Sequence, residues 1–213
     1  MSKKAVLISI KPKWCGKIFS GEKNLEFRKT KPRIETSFKC YVYCTAKKER
    51  PLEIIKDGDD VYGVEYHGKP IFIKMPDHGY DVDAVIHGWE KKVIGEITVD
   101  RIEEITVVEW RNVPTAVYGG IPFTDYPDGY LLSGGIKLGE YLKYKGDGKV
   151  YGWHISDCTL YDKPKDLSGL CYTTDSIERR LRGKMWTTME ALNGDVKIPP
   201  QSWCYVEDLW QKD

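Results

Sequence analysis

The stretch Ile18-Phe19-Ser20-Gly21-Glu22-Lys23-Asn24-Leu25-Glu26-Phe27-Arg28-Lys29 carries two periodicities joined at a glycine. Upstream of Gly21, Pro12 sits where a first helical turn tolerates a missing N–H, and Trp14, Cys15, Ile18 and Phe19 recur at helical spacing. Gly21 stops that helix. From Asn24 the pattern alternates, Leu25 and Phe27 on one face and Asn24, Glu26 and Arg28 on the other, so a strand is expected with opposite charges side by side on its polar face. Residues 4 to 10 form a β-branched, apolar run that leads into the helix. The first unit of structure is therefore strand, short helix, turn, strand.

Working outward, Phe38 to Thr45 is a strand rich in Tyr, Val and Cys. Val61 to Tyr66 and Ile71 to Lys74 flank His67-Gly68-Lys69-Pro70 and are expected to form a hairpin inserted into the main sheet. Lys92 to Val108 returns to strand composition. Pro114 to Gly135, with five Gly, three Pro and four Tyr or Phe, is expected to be a long loop, either functional or mobile. Ser133 precedes a short helix reaching about Lys145, Val150 to Leu160 is a strand, and Ser202 to Glu207 closes the chain as another. Asp175 and Glu178 make a capping box for the longest helix, whose stripe Ile177, Leu181, Met185, Met189 and Leu192 belongs to a core. Arg179, Arg180, Arg182 and Lys184 fall mostly off that stripe, as a solvated face or a grip for phosphates.

Composition narrows the class. With 213 residues, 41% hydrophobic and 31% charged, the chain is globular and large enough to bury a core without staples. Its net charge of +1 hides an asymmetry: residues 1 to 50 hold 14 Lys and Arg against 4 Asp and Glu, a local +10, whereas the remainder sums to −9. Such an excess attracts polyanions, of which phosphate backbones are the commonest. The apolar run Ala5 to Ile8 is too short for a secretory segment and no long apolar stretch follows, so a cytoplasmic protein without membrane contact is expected. Six scattered cysteines without a C-x-x-C pair are expected to be free thiols, with no disulfide, metal or other cofactor.

Several chemistries find no support. Gly119-Gly120 and Gly134-Gly135 lack the following Lys-Ser/Thr of a phosphate-cradling loop, and no Gly-x-Ser-x-Gly elbow occurs. His78, Asp81, Asp83 and His87 lie within ten residues but match no ligand spacing of a known metal site.

Ile18, Gly21, Lys23, Glu26 and Arg28, with Ser9-Ile10-Lys11-Pro12 upstream, resemble the I-x-x-G-x-K-x-x-E-x-R signature of ASCH domains, small β-barrel modules related to the PUA fold. Tyr41 to Thr45, Val93 to Glu96, Tyr151 to Asp157 and Pro199 to Val206 look like later strands of a longer type found in bacterial and phage genomes. The resemblance implies an α+β fold over residues 1 to 213: a single domain with a PUA-like mixed β-barrel, short flanking helices and insertions at about 50–90 and 110–135. It also implies binding of nucleic acid, RNA or a modified nucleoside, in a basic cleft. The residues expected there are Ser9, Lys11, Lys23, Glu26, Arg28, Lys29, His154 and Ser156, with Lys and Arg on phosphates and Trp or Tyr on an unpaired base. For Glu26 and Arg28 a structural ion pair is the competing expectation.

Two alternatives stand beside binding. In an amidohydrolase acting on acetylated cytidine, or in a ribonuclease, Lys23 and Glu26 would be catalytic, although Glu26 stands where those hydrolases place Thr and a carboxylate there favours the ammonium form of Lys23. In a protein-interaction scaffold of phage or prophage origin, the two insertions would carry the partner surface. Oligomeric state is left open.

Overall fold

The computed structural model describes residues 4–45, 53–57, 60–66, 69–72, 89–110, 112–125, 130–131, 133–174, 176–177 and 195–207, with only the backbone at 53–72, 125 and 130. The capping box at 175 and 178, the basic cluster 179–184 and the candidate metal ligands 78–87 lie outside them. Fifteen strands are defined among the described residues: β1 Lys4–Ile10, β2 Leu25–Arg28, β3 Phe38–Cys44, β4 Glu53–Asp57, β5 Asp60–Tyr66, β6 Lys69–Phe72, β7 Val93–Glu104, β8 Thr106–Trp110, β9 Val113–Tyr118, β10 Ile121–Pro122, β11 Thr124–Asp125, β12 Tyr130–Leu131, β13 Ile136–Lys137, β14 Tyr151–Lys165 and β15 Trp203–Glu207. The helices α1 Pro12–Phe19 and α2 Leu138–Lys145 join them in a mixed α+β fold. Among the described residues, no helix is long and apolar enough to cross a membrane.

Two compact units emerge, one of residues 1–16, 40–96 and 160–213, the other of 17–39 and 97–159. In the first, strands pair in the order β15-β1-β3-β7. β1 runs antiparallel to β15 (Val6 opposite Tyr205) and parallel to β3 (Ile8 opposite Val42). β1 is buried from Ala5 to Ile10, so both of its faces are covered, which fits its near-continuous apolar run. Ala5, Leu7, Tyr41, Tyr43, Val93, Leu170, Tyr172, Val196 and Val206 pack as one of its clusters. The segment 53–72 is not part of this sheet: β4, β5 and β6 form an antiparallel sheet of their own, with Tyr66 opposite Lys69 across the expected turn.

In the second unit the order is β7-β14-β2, and β2 is the edge. Tyr151 lies opposite Arg28 and His154 opposite Leu25. Trp153 is fully buried and meets Phe38 edge to face with centroids 6.1 Å apart; Phe27 meets Tyr141 likewise at 5.5 Å. The expected long loop is instead threaded by short strands. Gly119 and Gly120, at φ +57° and +77°, close a tight β9–β10 hairpin that the Gly-Gly pair makes sterically cheap. Composition points to a loop because the Gly and Pro content masks β9, and β10, β11 and β12, of two residues each, have no periodicity to read.

Candidate functional site

The edge strand β2 organises the second unit. An exposed edge presents unpaired amides and carbonyls, which proteins cover. Ile155 N–H donates to Asn24 O from the β14 side, so the groups of Leu25 and Phe27 point outward. Leu25 N–H donates to Ser133 O at 2.9 Å, Lys23 Nζ donates to Leu25 O, and Tyr144 Oη donates to Phe27 O at 3.3 Å. The motif lysine thus takes over one ladder bond that β2 cannot make. Its Nζ also donates to Gly134 O at 2.9 Å and lies 3.4 Å from Glu26 Oε2, while Glu26 Oε1 accepts Arg28 Nη2 at 3.0 Å.

Lys23 and Glu26, expected on phosphates and a base, are 3% and 6% exposed and spend their polar groups on one another and on the chain. Glu26 bridges two cations in the interior, the structural ion pair that competed with those roles, and Arg28 is largely buried with it. Burial pushes Lys23 below the ordinary lysine value, and Glu26 opposes that shift. The net direction therefore runs opposite to the expectation drawn from Glu26 alone, because desolvation outweighs the carboxylate. Three acceptors around Nζ still match the three donors of an ammonium, so the nitrogen is oriented into the protein rather than toward a reacting carbonyl.

The other expected residues are distributed. Ser9 is buried in the first unit, its hydroxyl donating to Pro200 O at 2.6 Å. Lys11 is exposed in that unit. Lys29 is exposed in the second, its Nζ 5.5 Å from the Tyr144 ring centroid. Ser156 is exposed and donates to Thr98 O at 3.4 Å. Strand alternation buries Trp153 and Ile155 on one face of β14 and puts the half-buried His154 on the other.

His154 lines a cleft of about 190 Å³ in the second unit, together with Asn24, Leu25, Arg101, Tyr118, Ile121, Phe123 and Ser133. Its Nδ1 lies 2.6 Å from Asp100 Oδ1, which orients the ring. Gly152 makes room for Tyr118: a Cβ there would fall 2.8 Å from the tyrosine ring. The Arg101 guanidinium lies 5.0 Å from that ring centroid, and Tyr118 Oη donates to Arg101 O at 3.4 Å. Ser133 occupies the left-handed region at φ +63°, which costs a non-glycine residue energy, and its carbonyl accepts both Asn24 and Leu25 N–H. Arg101, Tyr118, Phe123 and Ser133 do not stand out in the sequence as site residues. They come from segments distant from the motif, and only the Gly119-Gly120 hairpin, legible as a turn, could have pointed to Tyr118.

The cleft therefore combines aromatic surface, a cation, an oriented imidazole and an amide. No family model and no curated protein matches the chain. Structures that match are of ASCH proteins. A crystal structure of ASCH from Zymomonas mobilis is 16% identical, covering 96% of this chain and 88% of that one, with a TM-score of 0.47. Two single-residue variants of that protein are 17% and 18% identical over 97% of this chain, covering 92% and 91% of theirs, with TM-scores of 0.46 and 0.47.

Proposed function

We propose that the chain binds nucleic acid, an unpaired nucleotide of RNA or a nucleoside entering the cleft of the second unit. The observation that carries this is the pairing, in one cleft, of aromatic surface from Tyr118 and Phe123 with the Arg101 cation and the polar groups of Asn24, Ser133 and His154. A base has a flat π-face and hydrogen-bonding edges, and its phosphate needs a cation; the lining offers a partner to each. The +10 charge of residues 1 to 50 supports it independently by favouring encounter with a polyanion. Labelled oligouridine of about twelve nucleotides, long enough to span a single-strand site, should bind with salt-dependent anisotropy. Arg101→Ala and His154→Ala should each weaken it about tenfold, on the scale of removing one charged or stacking partner. Wild-type affinity in both variants would remove the cleft from the reading.

A second reading, hydrolysis of the bound nucleotide, is favoured by one observation. His154 with Asp100 at 2.6 Å is the arrangement of a general base whose ring is held by a carboxylate. Lys23 is a poorer candidate because its nitrogen is turned to Leu25 O, Gly134 O and Glu26. Turnover of RNA or an acetylated cytidine lost in His154→Ala would support this reading; turnover lost only in Lys23→Ala would move the chemistry back to the motif.

A further inference from the structure

We infer that the second unit carries a track for single-stranded nucleic acid outside the cleft, where Lys29 and Lys31 lie over the rings of Tyr144 and Tyr151 at the edge strand β2. This rests on the nucleic-acid reading above and extends it from one nucleotide to its neighbours.

Both tyrosines converge on one stretch of that strand. Tyr144 Oη donates to Phe27 O, on the outward edge of β2, and Tyr151 stands opposite Arg28 in the β2–β14 register. Lys29 Nζ is 5.5 Å from the Tyr144 centroid and Lys31 Nζ is 5.3 Å from the Tyr151 centroid. Both lysines are exposed and Tyr144 is 39% exposed, so ammonium and ring are reachable from solvent together. Beyond the largely buried Arg28, residues 29 to 33 hold three exposed cations, Lys29, Lys31 and Arg33, and no carboxylate, and α2 adds Lys143 and Lys145 in its last turn, on either side of Tyr144.

The strand pair places this patch beside the cleft. His154 and Leu25 sit opposite one another at the cleft, and Tyr151 and Arg28 sit three residues along the same pair, about 10 Å at the rise of a strand. Tyr151 and His154 project to opposite faces, as residues three apart in a strand must. A chain leaving the cleft thus passes round the β2 edge, by Tyr144 and Lys29, to reach Tyr151 and Lys31. Ser133, Lys23 and Tyr144 cap the outward backbone groups of β2, so the path runs over the exposed ring of Tyr144 rather than along a free strand edge. Alternating ammonium and ring suits phosphates and unpaired bases, whereas paired bases keep their faces stacked within a duplex.

The test uses the full chain and the oligouridine of about twelve nucleotides, its oligothymidine counterpart, and a duplex of equal length. Lys29→Glu with Lys31→Glu should weaken both single strands about tenfold or more and lower the salt slope by about 0.7 for each phosphate that is no longer neutralised. Lys29→Arg with Lys31→Arg should restore most of it, and Tyr144→Ala should weaken the long strands while leaving a mononucleotide unaffected. A loss of affinity for oligouridine alone assigns the track to RNA, and a loss for both assigns it to phosphate and ring without regard to the sugar. Unchanged affinity and slope in the double Glu variant, or equal losses with the duplex, would overturn the track while leaving the cleft standing. Absence of oligonucleotide binding by the wild-type chain would overturn both.

Discussion

Two charged clusters share the strands of the second unit and are built in opposite ways. Lys23, Glu26 and Arg28 are 3%, 8% and 12% exposed at their side chains, whereas His154 and Asp100 are 28% and 41% exposed. The first cluster spends its hydrogen bonds on the chain itself, covering the edge of β2 and tying it to Gly134. The second is open to a cleft and pairs only part of its capacity internally. A spaced motif marks what a fold requires, and that requirement can be an interior bridge. The residues offered to a ligand sit beside it and leave a fainter trace in the sequence.

The largest expected effect breaks the buried cluster. Glu26→Ala leaves two interior cations without their carboxylate, and such losses cost about 3–5 kcal/mol. Urea unfolding should show the midpoint fall accordingly, with Glu26→Gln intermediate. Unchanged stability together with lost binding would reverse the comparison and make the motif the ligand site. The next effect concerns the turn that Lys23 holds. Gly134→Ala would bring a methyl 2.4 Å from Phe27 Cζ, and overpacking of that kind costs about 1–3 kcal/mol. Adding Phe27→Leu should recover part of the loss, and strict additivity in that double-mutant cycle would show that the turn does not rest on the ring.

A smaller effect sets the alkaline limit of the buried interior around β2. Burial raises the Tyr141 phenol from 10.0 to about 12. Because the folded value is the higher one, the stability it contributes is full below pH 10 and is lost as pH rises from 10 to about 12. Tyr141→Phe should flatten that alkaline decline, at a cost near neutrality of about 1 kcal/mol for the bond to Ile105 O. Lys23 works with the opposite sign: its folded value is lowered, so stability rises with pH up to the ordinary 10.5. A decline equally steep in Tyr141→Phe would show that another group governs it.

Much of this is legible where one residue's neighbours are local. Pro12, Gly21 and the alternation at 24 to 28 specify α1, its stop and β2 without help from the rest of the chain, and Gly21 indeed adopts φ +82°. Alternation also places Trp153 inside and His154 on the cleft face. What stays hidden depends on distant partners. The burial of Glu26 follows from α2 and the 133–135 turn packing over an edge strand, which no local pattern at Glu26 records. The cleft wall of Arg101, Tyr118 and Phe123 is assembled from β7, the end of β9 and the residue that follows the two-residue β10, segments far apart in the chain.

The smallest expected effect sharpens the open side of the comparison. Asp100→Asn keeps an oxygen that can accept the His154 Nδ1–H but removes the carboxylate charge, and it allows the amide to turn a donor toward the ring instead. An exposed pair of this kind contributes about 0–1 kcal/mol, so unfolding stability should shift by no more than about 0.5 kcal/mol. Oligouridine affinity should nevertheless fall about two- to fivefold, less than in His154→Ala, because the imidazole remains but its orientation and tautomer are less firmly set. The two readouts then diverge for this pair, as they should for residues facing a ligand, while for Glu26 they fall together. A stability loss in Asp100→Asn as large as that of Glu26→Ala would mean that both clusters are structural, and would leave the cleft without the oriented histidine on which its chemistry depends.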